Sequence, residues 1–463
     1  MAPVALAITL LAGPALAQPA GDAARPADPG MTLTLAEALR AAEAASESLA
    51  VARSEVDRAQ AQVEGARSGY LPRIDGSAGY SRTLASEFDD ISFGPPPTGT
   101  QEEIDLPFGQ PNTWRLGVTA SQPLFDGFRT SAAVAQAKAG VRTSQLGVRS
   151  TRAQIVLQVA QAYYDAALAQ RQVEISEVTL KQAQETFATT QLNFKQGAAP
   201  EFDLVRAEVA RDNQSTLLVQ FRAQRDVAFV QLRRLIGARL DRSVTLTTKL
   251  EGDDVDTVVT TARTAAGLGL GSDAARLALA QAREAVAIRA ASVRIARADR
   301  LPQIVAVTDF GLVNYERQPF TDAWRTNWTV GISLSVPIFD GLRRRAAIRT
   351  SAAELAGARA QLAQGTEISD VEVAQASANV AAATTTLETS TRTVGQARRA
   401  YEIAELRFEQ GASTHLELVD ARVQLEQALL NQARSARDLR VARLRQELLP
   451  GLPLGATGAA TGF

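Results

Sequence analysis

Residues 124–199 and 338–449 contain no proline. Both runs are rich in Ala, Gln, Arg, Glu and Leu, and both are entered through the same junction, Pro-Leu-Phe-Asp-Gly at 123–127 and Pro-Ile-Phe-Asp-Gly at 337–341. Nothing inside them removes a backbone donor or forces a kink, so helix is predicted over 127–195 and again over 341–409. At 1.5 Å rise per residue each is a rod on the order of 100 Å long. Glycines at 140, 147, 357, 365 and 395 soften these rods without ending them.

What precedes each junction has a different period. In Trp114–Phe125, Trp114, Leu116, Val118 and Ala120 alternate with Arg115, Gly117, Thr119 and Ser121. In Trp328–Phe339, Trp328, Val330, Ile332 and Leu334 alternate with Thr329, Gly331, Ser333 and Ser335. A period of two, apolar against small polar, predicts a strand with one oily and one wet side.

The resemblance between these segments extends along the chain. Pro123, Asp126, Gly127, Gly197, Leu204 and Gly237 recur 214 positions later as Pro337, Asp340, Gly341, Gly411, Leu418 and Gly451. Leu71-Pro72 recurs as Leu301-Pro302 at an offset of 230, the difference lying in a longer loop of the first copy. The chain is a tandem duplication. Repeat 1 is placed at 34–236: a helix to about 68, strands at about 73–83 and 113–123, the long helix 127–195 and a return helix 201–236. Repeat 2 is placed at 272–449: a helix to about 299, strands at about 303–313 and 327–337, the long helix 341–409 and a return helix 414–447. Residues 237–271 lose periodicity and are expected to be irregular structure beside the helices, with 450–463 as a tail. Leu84–Thr113 carries six carboxylates and no Lys or Arg, the mark of an anionic surface loop.

Composition excludes several classes. The net charge of −1 gives no electrostatic case for nucleic acid. With no cysteine and one histidine, thiol chemistry, disulfides and a His-based metal site or triad have nothing to build on. No catalytic constellation and no cofactor site is expected. Residues 1–17, MAPVALAITLLAGPALA, have the apolar run and small-residue ending of a secretory signal, followed by an extension over 18–33. Beyond it no run of 18 apolar residues occurs, so no membrane-spanning helix is expected. A strand barrel is the remaining route across a bilayer. Four strands of about 10 residues fit that route in length but cannot close a barrel. An open edge in lipid leaves unpaired N–H and C=O groups, so other copies of the chain are needed to complete it.

With the duplication, the two Phe-Asp-Gly junctions and the paired segments NFKQGAAPEFDLVRA and RFEQGASTHLELVDA, the chain resembles the TolC family of outer-membrane efflux proteins over about 33–450. The resemblance implies a mainly α fold of long helical hairpins in an α-barrel, with four strands per protomer contributing to a twelve-stranded trimeric β-barrel. It implies a homotrimer in the outer membrane with a large periplasmic portion. The duct would meet a periplasmic adaptor and an inner-membrane transporter of RND, ABC or MFS type, carrying drugs, other small molecules or proteins. A soluble periplasmic coiled-coil scaffold or adaptor is the alternative reading.

Individual residues then acquire expected roles. The turns Gln196-Gly197-Ala198 and Gln410-Gly411-Ala412-Ser413 need glycine to end a helix in the left-handed region; the family adds that such tips dock on the adaptor. Glu417 and Asp420 are three apart on one helix face, and the resemblance implies a ring of six carboxylates at the periplasmic mouth. Asp203 matches the family's gate acid. The tyrosine and arginine that would partner it are replaced by Phe408 and Ser413, so the mouth is expected to be held by Arg206 or Lys195, or to be held less tightly. Trp114 and Trp328, at loop-side strand ends, are expected to form an interfacial belt against lipid headgroups. His415 is expected as an ordinary surface polar residue, and no metal site is expected among the acids near the tips.

Overall fold

In the computed structural model the described residues are 31–85, 111–239, 244–247, 250, 255–268, 276–316, 319, 323–410 and 412–455. The expected signal segment 1–17, most of the stretch 84–113 expected as an anionic loop, Gly411 and the end of the expected tail lie outside them.

The period-two segments form one antiparallel sheet of four strands, β2 (Arg73–Arg82), β3 (Asn112–Phe125), β5 (Gln303–Asn314) and β6 (Arg325–Ser335), in the order β2-β3-β5-β6. The register sorts the faces. Tyr80 lies opposite Trp114, Val118 opposite Phe310, and Phe310 opposite Trp328. One face therefore carries Ile74, Tyr80, Trp114, Leu116, Phe310, Trp328 and Ile332. On the other, Asp75, Thr119, Asp309 and Thr329 form a row across all four strands, with the Thr119 hydroxyl donating to Asp309 Oδ1 at 2.8 Å. The apolar face is open in the single chain: Ile74 is 68% and Val330 77% exposed. Water does not tolerate such a surface and hydrocarbon does. The outer edges of β2 and β6 run in opposite directions, so β6 of one copy can continue antiparallel onto β2 of the next.

β3 leaves the sheet through a bulge between Pro123 and Phe125, where proline has no donor to give. Gly127 and Phe128 then both take left-handed backbone, φ 68° and 66°; Gly341 and Leu342 repeat this at 65° and 69°. The Asp126 carboxylate accepts from Thr130 N at 2.6 Å and the Asp340 carboxylate from Arg344 N at 2.9 Å, capping the orphan donors of the helices that follow. Those helices are α3 (Arg129–Lys195) and α7 (Arg343–Glu409), 67 residues each. They return through α4 (Glu201–Leu235) and α8 (His415–Leu448).

Two expectations need correction. The helix expected over 34–68 is two, α1 (Leu35–Ala45) and α2 (Glu47–Arg67). Ser46 breaks it, adopting an extended ψ of 111° so that its hydroxyl caps Leu49 N at 3.2 Å. The expected irregular segment 237–271 contains a strand β4 (Val244–Leu246) and a helix α5 (Val255–Ala265). β4 pairs in parallel with β1 (Met31–Leu33), which lies in the expected N-terminal extension. Helix α6 (Leu277–Ala298) leads back to the sheet.

The core sits at this equator, where short elements wrap the long helices. Leu33, Leu39, Val159, Tyr163, Tyr164, Leu232, Leu444 and Leu448 are all buried in one cluster. The Tyr163 hydroxyl donates to Leu33 O at 3.0 Å, tying β1 to α3. A second, smaller cluster of Val173, Ile175, Leu218, Phe221 and Leu430 joins α3, α4 and α8 nearer the turns. Helix α7 buries few positions in the single chain, Ala376, Val394 and Tyr401 among them.

Candidate functional site

The two helix turns are built alike. At the first, Gly197 takes φ 72°, and Ala198 N donates to Asn193 O at 2.8 Å, closing the last turn of α3 beyond Gln196. At the second, Gln410 N donates to Leu406 O at 3.1 Å and Ala412 N to Arg407 O at 2.8 Å; Gly411 itself lies outside the described residues. Thr414 caps α8, its hydroxyl accepting from Glu417 N at 3.4 Å. Ser413 is half-buried beside it.

Glu417 and Asp420 are exposed on one side of the first turns of α8. Glu417 has a partner that sequence reasoning missed: the Arg407 guanidinium stands 3.8 Å from its carboxylate and donates at 3.4 Å to Ala412 O. Asp420 accepts from Gln424 at 2.7 Å. Asp203, half-buried in the first turn of α4, acts electrostatically on His415. Arg206, one of the expected substitutes at the gate, holds its guanidinium over the Phe202 ring at 5.4 Å. Lys195 ends α3 as an exposed last-turn residue.

His415 is not the surface residue expected. It is 5% exposed, and neither ring nitrogen has a hydrogen-bond partner among the described residues. The reason is its position as the first residue of α8, turned inward against Phe408, whose ring lies edge-on at 6.0 Å. Burial pushes its pKa below the usual imidazole value; Asp203 opposes this and Arg422 and Arg206 reinforce it.

Above His415 the same buried face of α8 continues through Leu418, Arg422 and Glu426, a spacing of three and four that marks one helix stripe. Two of these are charged, and the sequence pattern did not single them out. Arg422 is 5% exposed with Nη1 unpartnered among the described residues; burial lowers its pKa against the pull of Tyr401 and Glu426. The Tyr401 hydroxyl donates to Glu405 at 2.7 Å, and burial with that carboxylate pushes its pKa well up. Glu426 is raised by burial while Gln214 and Arg422 draw it down. Gln214 donates from one nitrogen to Glu426 Oε1 at 2.7 Å and to Ser176 Oγ at 3.1 Å.

At the opposite end both tryptophans lie on the apolar sheet face, but in different settings. Trp114 is half-buried, tilted against Tyr80 at 4.3 Å. Trp328 is 70% exposed, its Nε1 donating to Thr308 Oγ1 at 2.9 Å. Through Phe310 and Val118, the row of Trp328 lies four residues along β3 from Trp114.

Comparison with known proteins agrees with this architecture. A family model described as "Outer membrane efflux protein" matches residues 38–238 and 272–448, one stretch per repeat. Nodulation protein T of Rhizobium leguminosarum bv. viciae is 26% identical over 388 residues, covering 83% of this chain and 75% of the relative. Alkaline protease secretion protein AprF of Pseudomonas aeruginosa is 25% identical over 286 residues, covering 61% and 56%. Among solved structures, the CmeC outer membrane channel of Campylobacter jejuni superposes with a TM-score of 0.74 at 16% identity, covering 91% of this chain and 86% of that one. VceC of Vibrio cholerae gives 0.71 at 19% identity, covering 91% and 96%.

Proposed function

Because the chain belongs to the outer membrane efflux protein family, we infer that it is a passive exit duct whose driving force comes from elsewhere. It is an outer-membrane channel subunit with a large periplasmic portion, not an enzyme, and its family works as trimers with adaptors and inner-membrane pumps. The observation that carries the physical reading is the open four-stranded sheet. An apolar outer face, a polar inner row and two unpaired edges running in opposite directions are what a segment of a closed barrel requires. Three copies supply twelve strands, enough for a water-filled lumen, and each strand pair feeds a helix on the order of 100 Å long.

The finer assignments form part of this proposal. Glu417 and Asp420 face the closing mouth as a cation-favouring ring, supported by their exposure on one side of α8. Asp203 takes part at the mouth through His415 rather than through a tyrosine and an arginine. The turns at Gln196-Gly197-Ala198 and Gln410-Gly411-Ala412-Ser413 receive the adaptor, which links the duct to a pump of RND, ABC or MFS type. Trp114 and Trp328 meet the lipid. Purified protein reconstituted in planar bilayers tests the core of this reading: discrete channels formed by a trimer are expected. A water-soluble monomer recovered without detergent would point to the scaffold reading instead.

A further inference from the structure

The polar face of the sheet carries charge of opposite sign at two levels. One is the row of Asp75, Thr119, Asp309 and Thr329. Four residues along each strand toward the connecting loops, the register aligns Gly79, Arg115, Val313 and Arg325 on that same face. This row holds two guanidinium groups and no carboxylate. Both arginines are exposed, and the Arg325 guanidinium lies over the Tyr315 ring at 5.7 Å. Between the two levels run Ser77, Gly117, Gly311 and Asn327. That row is uncharged, and its glycines have no side chain to narrow a passage.

The acidic level is weaker than its residues suggest. Arg73, on the same face, reaches the Asp75 carboxylate through two nitrogens at 2.8 and 3.2 Å, so the charge of Asp75 is offset on its own strand. Asp309 accepts from the Thr119 hydroxyl at 2.8 Å, a neutral donor that leaves its charge in place. Each chain thus sets one unbalanced carboxylate at that level and two guanidinium groups nearer the loops. Four residues make about 13 Å of strand, more than the Debye length of about 8 Å at 0.15 M salt. An ion moving along this face therefore meets the two levels one after the other, and neither cancels the other.

We propose that the loop end of the barrel lumen recruits anions: Arg115 and Arg325 engage the carboxylate or phosphate groups of a solute in the duct. The inference rests on the duct reading, which makes this face the lumen. Arginine suits the task, because its charge does not titrate and its planar fork matches a pair of carboxylate or phosphate oxygens. Repeated in each copy, the row gives one end of the duct a positive lining, against the carboxylates Glu417 and Asp420 proposed at the other. Solutes that carry an oxyanion are the class favoured at this end.

Planar-bilayer recordings of the purified full-length protein test this, with inositol hexakisphosphate as the probe anion. Added to each compartment in turn, it is expected to block current from one side only, and less as salt is raised. Arg115→Gln/Arg325→Gln is expected to raise the half-blocking concentration several-fold. Because the chain has no cysteine, Arg115→Cys can be given either charge with thiosulfonate reagents. A cationic reagent should restore the block and an anionic one remove it. This readout also decides the matter if the double variant does not assemble. No block, equal block from both sides, or a block indifferent to the charge at 115 would overturn the arginine row and leave the duct intact. Absence of any channel from the wild-type protein would overturn the duct reading itself.

Discussion

The imidazole of His415 stands edge-on to the ring of Phe408 at 6.0 Å, buried where α7 ends and α8 begins. The groups that face it are Asp203 and Arg206 from α4 and Arg422 from α8, and burial dominates them, holding the pKa below 6.5. The folded chain thus binds fewer protons at this site than the unfolded chain. The stability it contributes is complete above about pH 6.5 and is lost as pH falls through the lower, folded value. We expect tip packing to loosen on acidification, and His415→Phe to abolish that part of the response. Since the chain has one histidine, NMR of histidine-labelled protein reports it directly. A titration midpoint above 6.5 would contradict the buried, neutral imidazole.

In the duct as proposed, Glu417 and Asp420 are the carboxylates of the mouth. Glu417→Gln with Asp420→Asn removes six carboxylates around one axis, so cation preference in planar bilayers should fall toward neutrality. Arg407, 3.8 Å from Glu417, offsets part of that field. Arg407→Gln is expected to strengthen cation preference where the double variant weakens it. Reversal potentials under a salt gradient measure both, and equal values in all three proteins would remove the ring.

Much of this architecture was legible because its signals are local and repeated. The change from period two to uninterrupted helix at Asp126-Gly127 and Asp340-Gly341 needed only the sequence. The turn at Gly197 and the exposure of Glu417 and Asp420 on one side of α8 did too. What escaped was set by tertiary contact. Ser46 is a weak helix breaker whose capping role shows only where the chain turns. Residues Val244–Leu246 form a strand because Met31–Leu33 lies beside them, a pairing that no window of sequence contains. His415, Arg422 and Glu426 read as ordinary helix-surface residues until the opposing helices cover that stripe. The tandem repeat was no guide there either, since Pro200-Glu201 and Thr414-His415 occupy equivalent turns with unlike chemistry.

The two junctions predict unequal tolerance to the same substitution. Gly127 and Gly341 share a left-handed backbone, where a Cβ costs about 1–2 kcal/mol. A Cβ on Gly127 would also stand 2.7 Å from Ala298 O and 2.8 Å from Leu301 Cβ, whereas nothing lies within 4 Å at Gly341. Gly127→Ala should therefore lower the heat-dissociation temperature of the detergent-solubilised trimer more than Gly341→Ala. Asp126→Ala and Asp340→Ala each remove a helix cap, at about 1 kcal/mol. Equal losses for the two glycine variants would mean that the approach of α6 to the first junction is looser than the structure has it.

The sheet faces make the sharpest demand on the membrane reading. Trp328 projects from the apolar face 70% exposed, beside Val330 and Ile332 at 77% and 73% on the same strand. If that face meets hydrocarbon, bromine on lipid acyl chains will reach the indole. In a Trp114→Phe/Trp324→Phe background, fluorescence of Trp328 should be strongly quenched by brominated lipid and little by iodide in the water. Trp114 alone, half-buried against Tyr80, should be quenched less by either. Reversed accessibility, with iodide quenching Trp328 and brominated lipid leaving it bright, would put the apolar face toward water or another protein surface. The polar row Asp75, Thr119, Asp309 and Thr329 would then have no lumen to face, because the register places the two rows on opposite sides of one sheet.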